Sequence, residues 1–300
     1  MASQFSTFGI STYWNRGRHH DCAAAISEII ELDVGLIEVQ LTTDPEDLTT
    51  AVEVLQRTKA KCHSVALAPD HSDPVRSPTL FHTDADLRQA AEARLQVAIK
   101  SAARLRSKTV VLDAGVVPVV DCESRMRTLL NAVDEREMDV ASKVYEQLFI
   151  ERTKVRDRAV EELCRALHRV IKEQPGLTLA MAPSAHPLAL VGKEEAEWLL
   201  DDLRTGISIR LDPASITIRE NFGRPSLMSW AESMSNAIDT TYLSEPEGVR
   251  VDSMPGPGLV DWAELAARLS PQTTSILKVD PASSRVAVTQ AIRSFGRGLA

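Results

Sequence analysis

The chain has 300 residues, of which 44% are hydrophobic, 25% charged and only 4% aromatic, so its core must be built mainly from Leu, Val, Ile and Ala. A formal net charge of −8 gives no general attraction to phosphate backbones or anionic lipid, and neither nucleic acid nor a membrane is expected as a partner. Cys22, Cys62, Cys122 and Cys164 form no CxxC pair, the N-terminus lacks a signal-like apolar run, and no segment reaches the length of a membrane span, which together point to a reducing cytoplasm.

Short β-branched runs alternate with longer amphipathic stretches along the whole chain, the pattern of repeated βα units. Strands are predicted at 7–12, 35–40, 61–67, 108–114, 177–182, 207–212, 238–243 and 274–280. Helices are predicted between them at 21–33, 45–59, 84–106, 140–174, 193–204, 226–236, 261–269 and 284–296. Asp44-Pro45, with Glu46 and Asp47 in the first turn, opens the second helix, and Asp84 caps the third. Eight such units favour one (β/α)8 TIM barrel domain over residues 1–300; an eight-stranded doubly wound sheet has the same periodicity and stays open as a competitor.

The charged stretch 119–139 breaks the rhythm after the fourth strand and leads into a long Arg- and Glu-rich helix. It is read as an inserted helical segment over the barrel mouth, with a solvated hairpin as the alternative. The Arg and Glu residues at 151–173 read as a solvated helix face laced with i,i+4 pairs.

Three motifs resemble the xylose-isomerase-like sugar phosphate isomerase/epimerase family: GISTYW at the first strand, GLIEVQL at the second and MPGPGLVDWAELAARL at 254–269. Gly256 and Gly258 with Asp261 also satisfy the simpler requirements of a tight turn and a helix N-cap. The resemblance implies carboxylate and histidine ligands at the C-terminal strand ends, around a divalent ion such as Mn, Zn, Co or Mg.

Position by position, that ligand set has largely been exchanged. The fifth-strand glutamate falls on Ala182, or on Met181 in a shifted register. The sixth-strand Asp-x-x-His becomes Asp212 with Ser215, and the seventh-strand His-Leu-Lys-Asp reads Tyr242-Leu243-Ser244-Glu245. The eighth-strand glutamate becomes Lys278, and on the third and fourth strands Leu67 before Pro69 and Asp113 stand where relatives carry histidine. Asp212 and Glu245 are the weak candidates left for a metal.

The expected catalytic set is Asp212, Lys278, Glu245, Glu38 and Asp113, with Tyr242, Arg210, His186 and Trp14 as substrate contacts. Strand alternation puts Arg210 with Asp212, and Lys278 with Asp280, on faces directed at the mouth. Lys278 near the metal position could offset the charge of Asp212, or serve as a general base or Schiff-base lysine. Of the histidines, His186 lies at the functional end; His19, His20, His71 and His82 are loop residues, and His63 and His168 read as structural.

Two functions follow from the resemblance. One is an isomerase or epimerase of a small polyhydroxylated carbonyl substrate, with an altered or lost metal site. The other is a catalytically inactive barrel that binds a ligand or acts as a scaffold subunit, in a homo-oligomer or with a partner protein. Apurinic endonuclease activity, also found in this family, ranks last because the chain is acidic and ligand-poor.

Overall fold

The computed structural model describes residues 7–19, 21–42, 48–67, 77–119 and 121–296. Eight parallel strands close into a barrel: β1 (Thr7–Ser11), β2 (Leu36–Leu41), β3 (Lys61–Leu67), β4 (Thr109–Asp113), β5 (Thr178–Ala182), β6 (Ile207–Leu211), β7 (Ile238–Leu243) and, after a two-stranded hairpin, β10 (Thr274–Leu277). Closure is made by β1 pairing with both β2 and β10, which excludes the doubly wound sheet. The predicted strands match to within three residues at either end.

Helices α1 (Cys22–Ile30), α2 (Thr49–Arg57) and α3 (Ala85–Arg104) follow the first three strands, and α6 (Lys193–Leu203) follows the fifth. Asp21, Asp84, Asp261 and Ser284 cap helices through backbone N–H bonds, the last two opening α9 (Trp262–Arg268) and α10 (Arg285–Phe295). The Asp44-Pro45 helix start lies outside the described residues, and α2 begins at Thr49. The barrel sheet and its helices share a core cluster running from Phe8 to Ala291.

The interruption after β4 is an inserted pair of helices, α4 (Cys122–Asp134) and α5 (Met138–Glu173), the latter 36 residues long. Part of α5 corrects the sequence reading. Arg165 does pair with Glu161 on the surface, but Arg152 is 1% exposed and is bound into the protein. Its guanidinium donates to the carbonyls of Ala189 and Leu190 and pairs with buried Glu195 at 2.8 Å. Glu195 also accepts from the Gly192 N–H at 2.8 Å, and a Cβ at Gly192 would meet that carboxylate at 2.6 Å. Two positively charged anchors, Arg152 and the buried Arg219, thus fasten loop 183–192 to the helices behind it.

One helix and one hairpin add to the predicted set. Helix α7 (Pro213–Asn221) follows β6 directly, with Pro213 in its first turn and Asp212 accepting from the Ser215 N–H at 3.0 Å. It precedes the predicted α8 (Leu227–Met234). The hairpin of β8 (Glu245–Glu247) and β9 (Arg250–Ser253) turns at Gly248, whose φ of 61° is the left-handed conformation glycine adopts without strain.

Candidate active site

A cavity of about 310 Å3 occupies the C-terminal end of the barrel, the end where barrels of this kind gather side chains from separate strands. Asp113, Asp212, Tyr242, Lys278 and His186 line it, together with Tyr13, which the sequence reading passed over in favour of Trp14. Tyr13 and Trp14 sit on one 3-10 turn, so their side chains diverge. Trp14 is fully buried, donates its indole N–H to the Ser283 carbonyl at 2.8 Å and is not among the cavity residues. Tyr13 instead bonds Asp252 of the hairpin at 2.9 Å, and burial together with that carboxylate pushes its hydroxyl pKa up to about 12.

Lys278, on the residue following β10, is the central feature of the cavity. Its ammonium lies 3.9 Å from Asp212 Oδ2, 4.5 Å above the Tyr242 ring and 5.6 Å from the Tyr13 ring. Two aromatic faces thus stabilise a cation that is 21% exposed, while the Asp212 contact is an ion pair too long for a hydrogen bond. Burial raises the Asp212 pKa above the ordinary carboxylate value, and Lys278 and the Ser215 bonds oppose the rise without cancelling it.

One layer deeper, inside the barrel, lies a second acid–base pair. Glu38 and Arg210, on opposite sides of the barrel, meet at 2.9 Å with both side chains 0% exposed. Ser64 donates to Glu38 at 2.9 Å, and the Tyr242 hydroxyl donates to the same carboxylate at 3.1 Å. Tyr242 joins the layers, ring under Lys278 and hydroxyl on Glu38. Its hydroxyl pKa stands well above the free value because burial and the Glu38 charge both disfavour phenolate. Neither Glu38 nor Arg210 is among the cavity residues. Deeper still, His63 bonds the Thr240 hydroxyl across the barrel at 2.9 Å, and burial with the nearby Arg210 charge lowers its pKa to about 4.

The remaining expected site residues separate clearly. Asp113 lines the cavity and accepts from the Gly115 N–H at 2.8 Å; His186 lines it with Nδ1 accepting from the Leu188 N–H at 3.1 Å. Glu245 is held away from it, accepting from the Leu259 and Val260 N–H groups and from the Trp262 indole at 2.9 Å. A Cβ on Gly258 would strike that carboxylate at 2.6 Å, so the Gly-Pro-Gly-to-Asp-Trp motif is a mould around Glu245. Asp280 does not face the mouth: it pairs with Arg250 and accepts from the Ala282 N–H. His19 binds Glu28, His82 accepts from the Asp84 N–H, and His20, His71 and Pro69 lie outside the described residues.

The donor set bears directly on whether a divalent ion would be held here. Ala182 and Ser215 line the cavity where the family resemblance implies ligands, and a fixed ammonium stands 3.9 Å from the remaining aspartate. Among the described residues no three His, Cys, Asp or Glu side chains converge in a way that could hold a metal ion. Like charge at close range opposes a second cation, so the described mouth residues do not fit one.

No protein-family model and no curated protein sequence matches the chain. Solved structures do. An AP endonuclease, family 2, from Brucella melitensis superposes with a TM-score of 0.67 at 13% identity, covering 98% of this chain and 99% of its own. D-allulose 3-epimerase from Methylomonas sp. gives 0.66 at 15% identity over 100% of both chains, and a xylose isomerase domain protein from Planctomyces limnophilus gives 0.62 at 11% over 98% and 97%. The fold is therefore a xylose-isomerase-like TIM barrel. Identities this low speak to the fold, and function has to be argued from the site.

Proposed function

We propose that this protein is an isomerase or epimerase of a small sugar-like carbonyl substrate in which Lys278 takes the place of a divalent cation. The observation that carries the reading is the Lys278–Asp212 pair at the floor of the cavity, with 3.9 Å between charged atoms. Both groups line the cavity, so a substrate carbonyl oxygen can lie against the ammonium while a carbon-bound proton beside it faces the carboxylate. Asp212 removes the proton beside the carbonyl, its raised pKa bringing its basicity closer to working pH. The electron pair moves onto the carbonyl oxygen, and Lys278 stabilises the enediolate so formed. Asp212 returning the proton to the neighbouring carbon on the same face, as that carbon's hydroxyl proton passes to the enediolate oxygen, gives the isomer; an epimer forms where solvent protonates the opposite face instead.

Tyr242 holds the ammonium over its ring, and Asp113 and His186, which line the same cavity, would bind substrate hydroxyls. Sugar-epimerase neighbours support the substrate class, as does a cavity volume at the small end of the 300–1,000 Å3 usual for ligand sites. Among the described residues Cys22, Cys62, Cys122 and Cys164 are free thiols. Among the same residues, no helix is long and apolar enough to cross a membrane.

A second reading, a ligand-binding barrel without catalysis, is favoured by one observation: Glu38, Arg210 and Glu245 are all engaged in internal bonds and outside the cavity. Solvent deuterium exchange separates the two. With chelator present, ketoses and ketose phosphates in D2O are expected to exchange the hydrogen next to the carbonyl, and Lys278→Met and Asp212→Asn are each expected to abolish it. Ligand-induced shifts without exchange in any substrate would favour the binding role.

A further inference from the structure

The floor and the roof of the cavity differ in chemistry. Charged and hydroxyl-bearing groups, Asp113, Asp212 and Lys278 among them, gather on the strand ends. The roof comes from the inserted helices and from α7: Met126, Leu129 and Leu130 on α4, Tyr145 on α5, and Ile218 and Phe222 on or just after α7.

This roof is built rigidly. Tyr145 and Phe222 stack with centroids 4.3 Å apart and planes 8° from parallel. Behind them Arg224 covers the Phe149 ring at 3.8 Å and pairs with Glu146. Leu129 and Tyr145 are buried in the small core between α4 and α5, whereas Leu130 is 38% exposed at the edge of the cavity. Across the opening, Val249 and Val251 of the hairpin region add two further apolar walls.

Such a roof is ill suited to a substrate that is hydroxylated at both ends. A sugar hydroxyl pressed against Leu, Met or Phe loses its hydrogen-bond partner at a cost, whereas a methylene placed there is favourably removed from water. Over a few atoms the sign of binding is decided by which end meets the roof. Building on the carbonyl-acting site proposed above, we infer that the ligand is amphipathic: a hydroxylated carbonyl head on Lys278 and Asp212, bearing an alkyl or aryl substituent that packs under α4 and α7. The substrate class is thus a hydroxyketone with an apolar substituent, in preference to a free sugar.

The test uses simple α-hydroxyketones and the full-length protein. Dissociation constants are measured by titration calorimetry for dihydroxyacetone and 2-hydroxyacetophenone, with acetophenone as an apolar control. The aryl hydroxyketone is expected to bind roughly tenfold or more tightly than dihydroxyacetone. The double variant Met126→Gln/Leu130→Asn, at positions that are not fully buried, is expected to weaken 2-hydroxyacetophenone several-fold more than dihydroxyacetone.

Equal binding of the two hydroxyketones, or equal weakening of both in the roof variant, overturns the inference and leaves the carbonyl site standing. If acetophenone binds as tightly as the hydroxyketone and Lys278→Met changes neither, the roof is upheld and the proposed function fails. Absence of binding by all three overturns both.

Discussion

The barrel holds two acid–base pairs one layer apart, and they have opposite physical characters. Glu38–Arg210 is closed to solvent, in contact at 2.9 Å and saturated on the acid side by Ser64 and Tyr242. Asp212–Lys278 is longer at 3.9 Å, reaches the cavity, and includes a lysine that is 21% exposed. A buried pair whose partners are fixed contributes mainly through the penalty for breaking it; a loose pair at an opening can exchange its partner for a ligand. Tyr242 touches both pairs, with its ring under Lys278 and its hydroxyl on Glu38.

Breaking the deeper pair should have the largest effect. Arg210→Met leaves Glu38 enclosed without its counter-ion, and a stability loss of about 3–5 kcal/mol is expected by chemical denaturation. The double variant Glu38→Leu/Arg210→Met should recover much of that loss; no recovery would mean that the pair itself, and not the orphaned charge, sets the cost.

The layer around His63 gives the next largest effect. Its pKa is depressed from 6.5 to about 4, so its contribution to stability is present above the unfolded value and is lost as pH falls toward the folded one. Wild type should therefore lose about 3 kcal/mol more than His63→Asn between pH 6.5 and 4. Parallel pH profiles for the two proteins would contradict the burial of an uncharged imidazole. The smallest effect belongs to the shallow pair: Lys278→Met should cost less stability than Arg210→Met, because the pair is 3.9 Å apart and its lysine is 21% exposed at the cavity. A loss as large as that of Arg210→Met would erase the distinction between the layers.

The architecture was legible because the strands carry β-branched runs with capped helices between them, and because Asp84, Asp261 and Ser284 sit where caps belong. Helix α7 was hidden by its own composition: Ile216, Thr217 and Ile218 read as strand, and only Asp212-Pro213 announces a helix start. For the site, the strand ends point to Asp113, Asp212, Tyr242 and Lys278, and these four line one cavity. Periodicity says which face a residue takes but not how deep it lies, so Glu38 and Arg210 were grouped with residues one layer above them. Glu245 was ambiguous for another reason: its carboxylate role depends on Gly258 and Trp262, which approach it only once the turn has folded. Arg152 was unreadable within its charged run, because its partners lie on the distant 189–195 segment.

The central claim is that a fixed ammonium occupies the role of a divalent ion at the mouth. Metal analysis of the purified wild type by mass spectrometry, in parallel with Lys278→Glu after exposure to Mn2+, tests it most directly. The account predicts no stoichiometric Mn, Zn, Co or Mg in the wild type and a gain of Mn2+ binding when Lys278 is replaced by a carboxylate beside Asp212. One tightly held divalent ion per wild-type chain would contradict it.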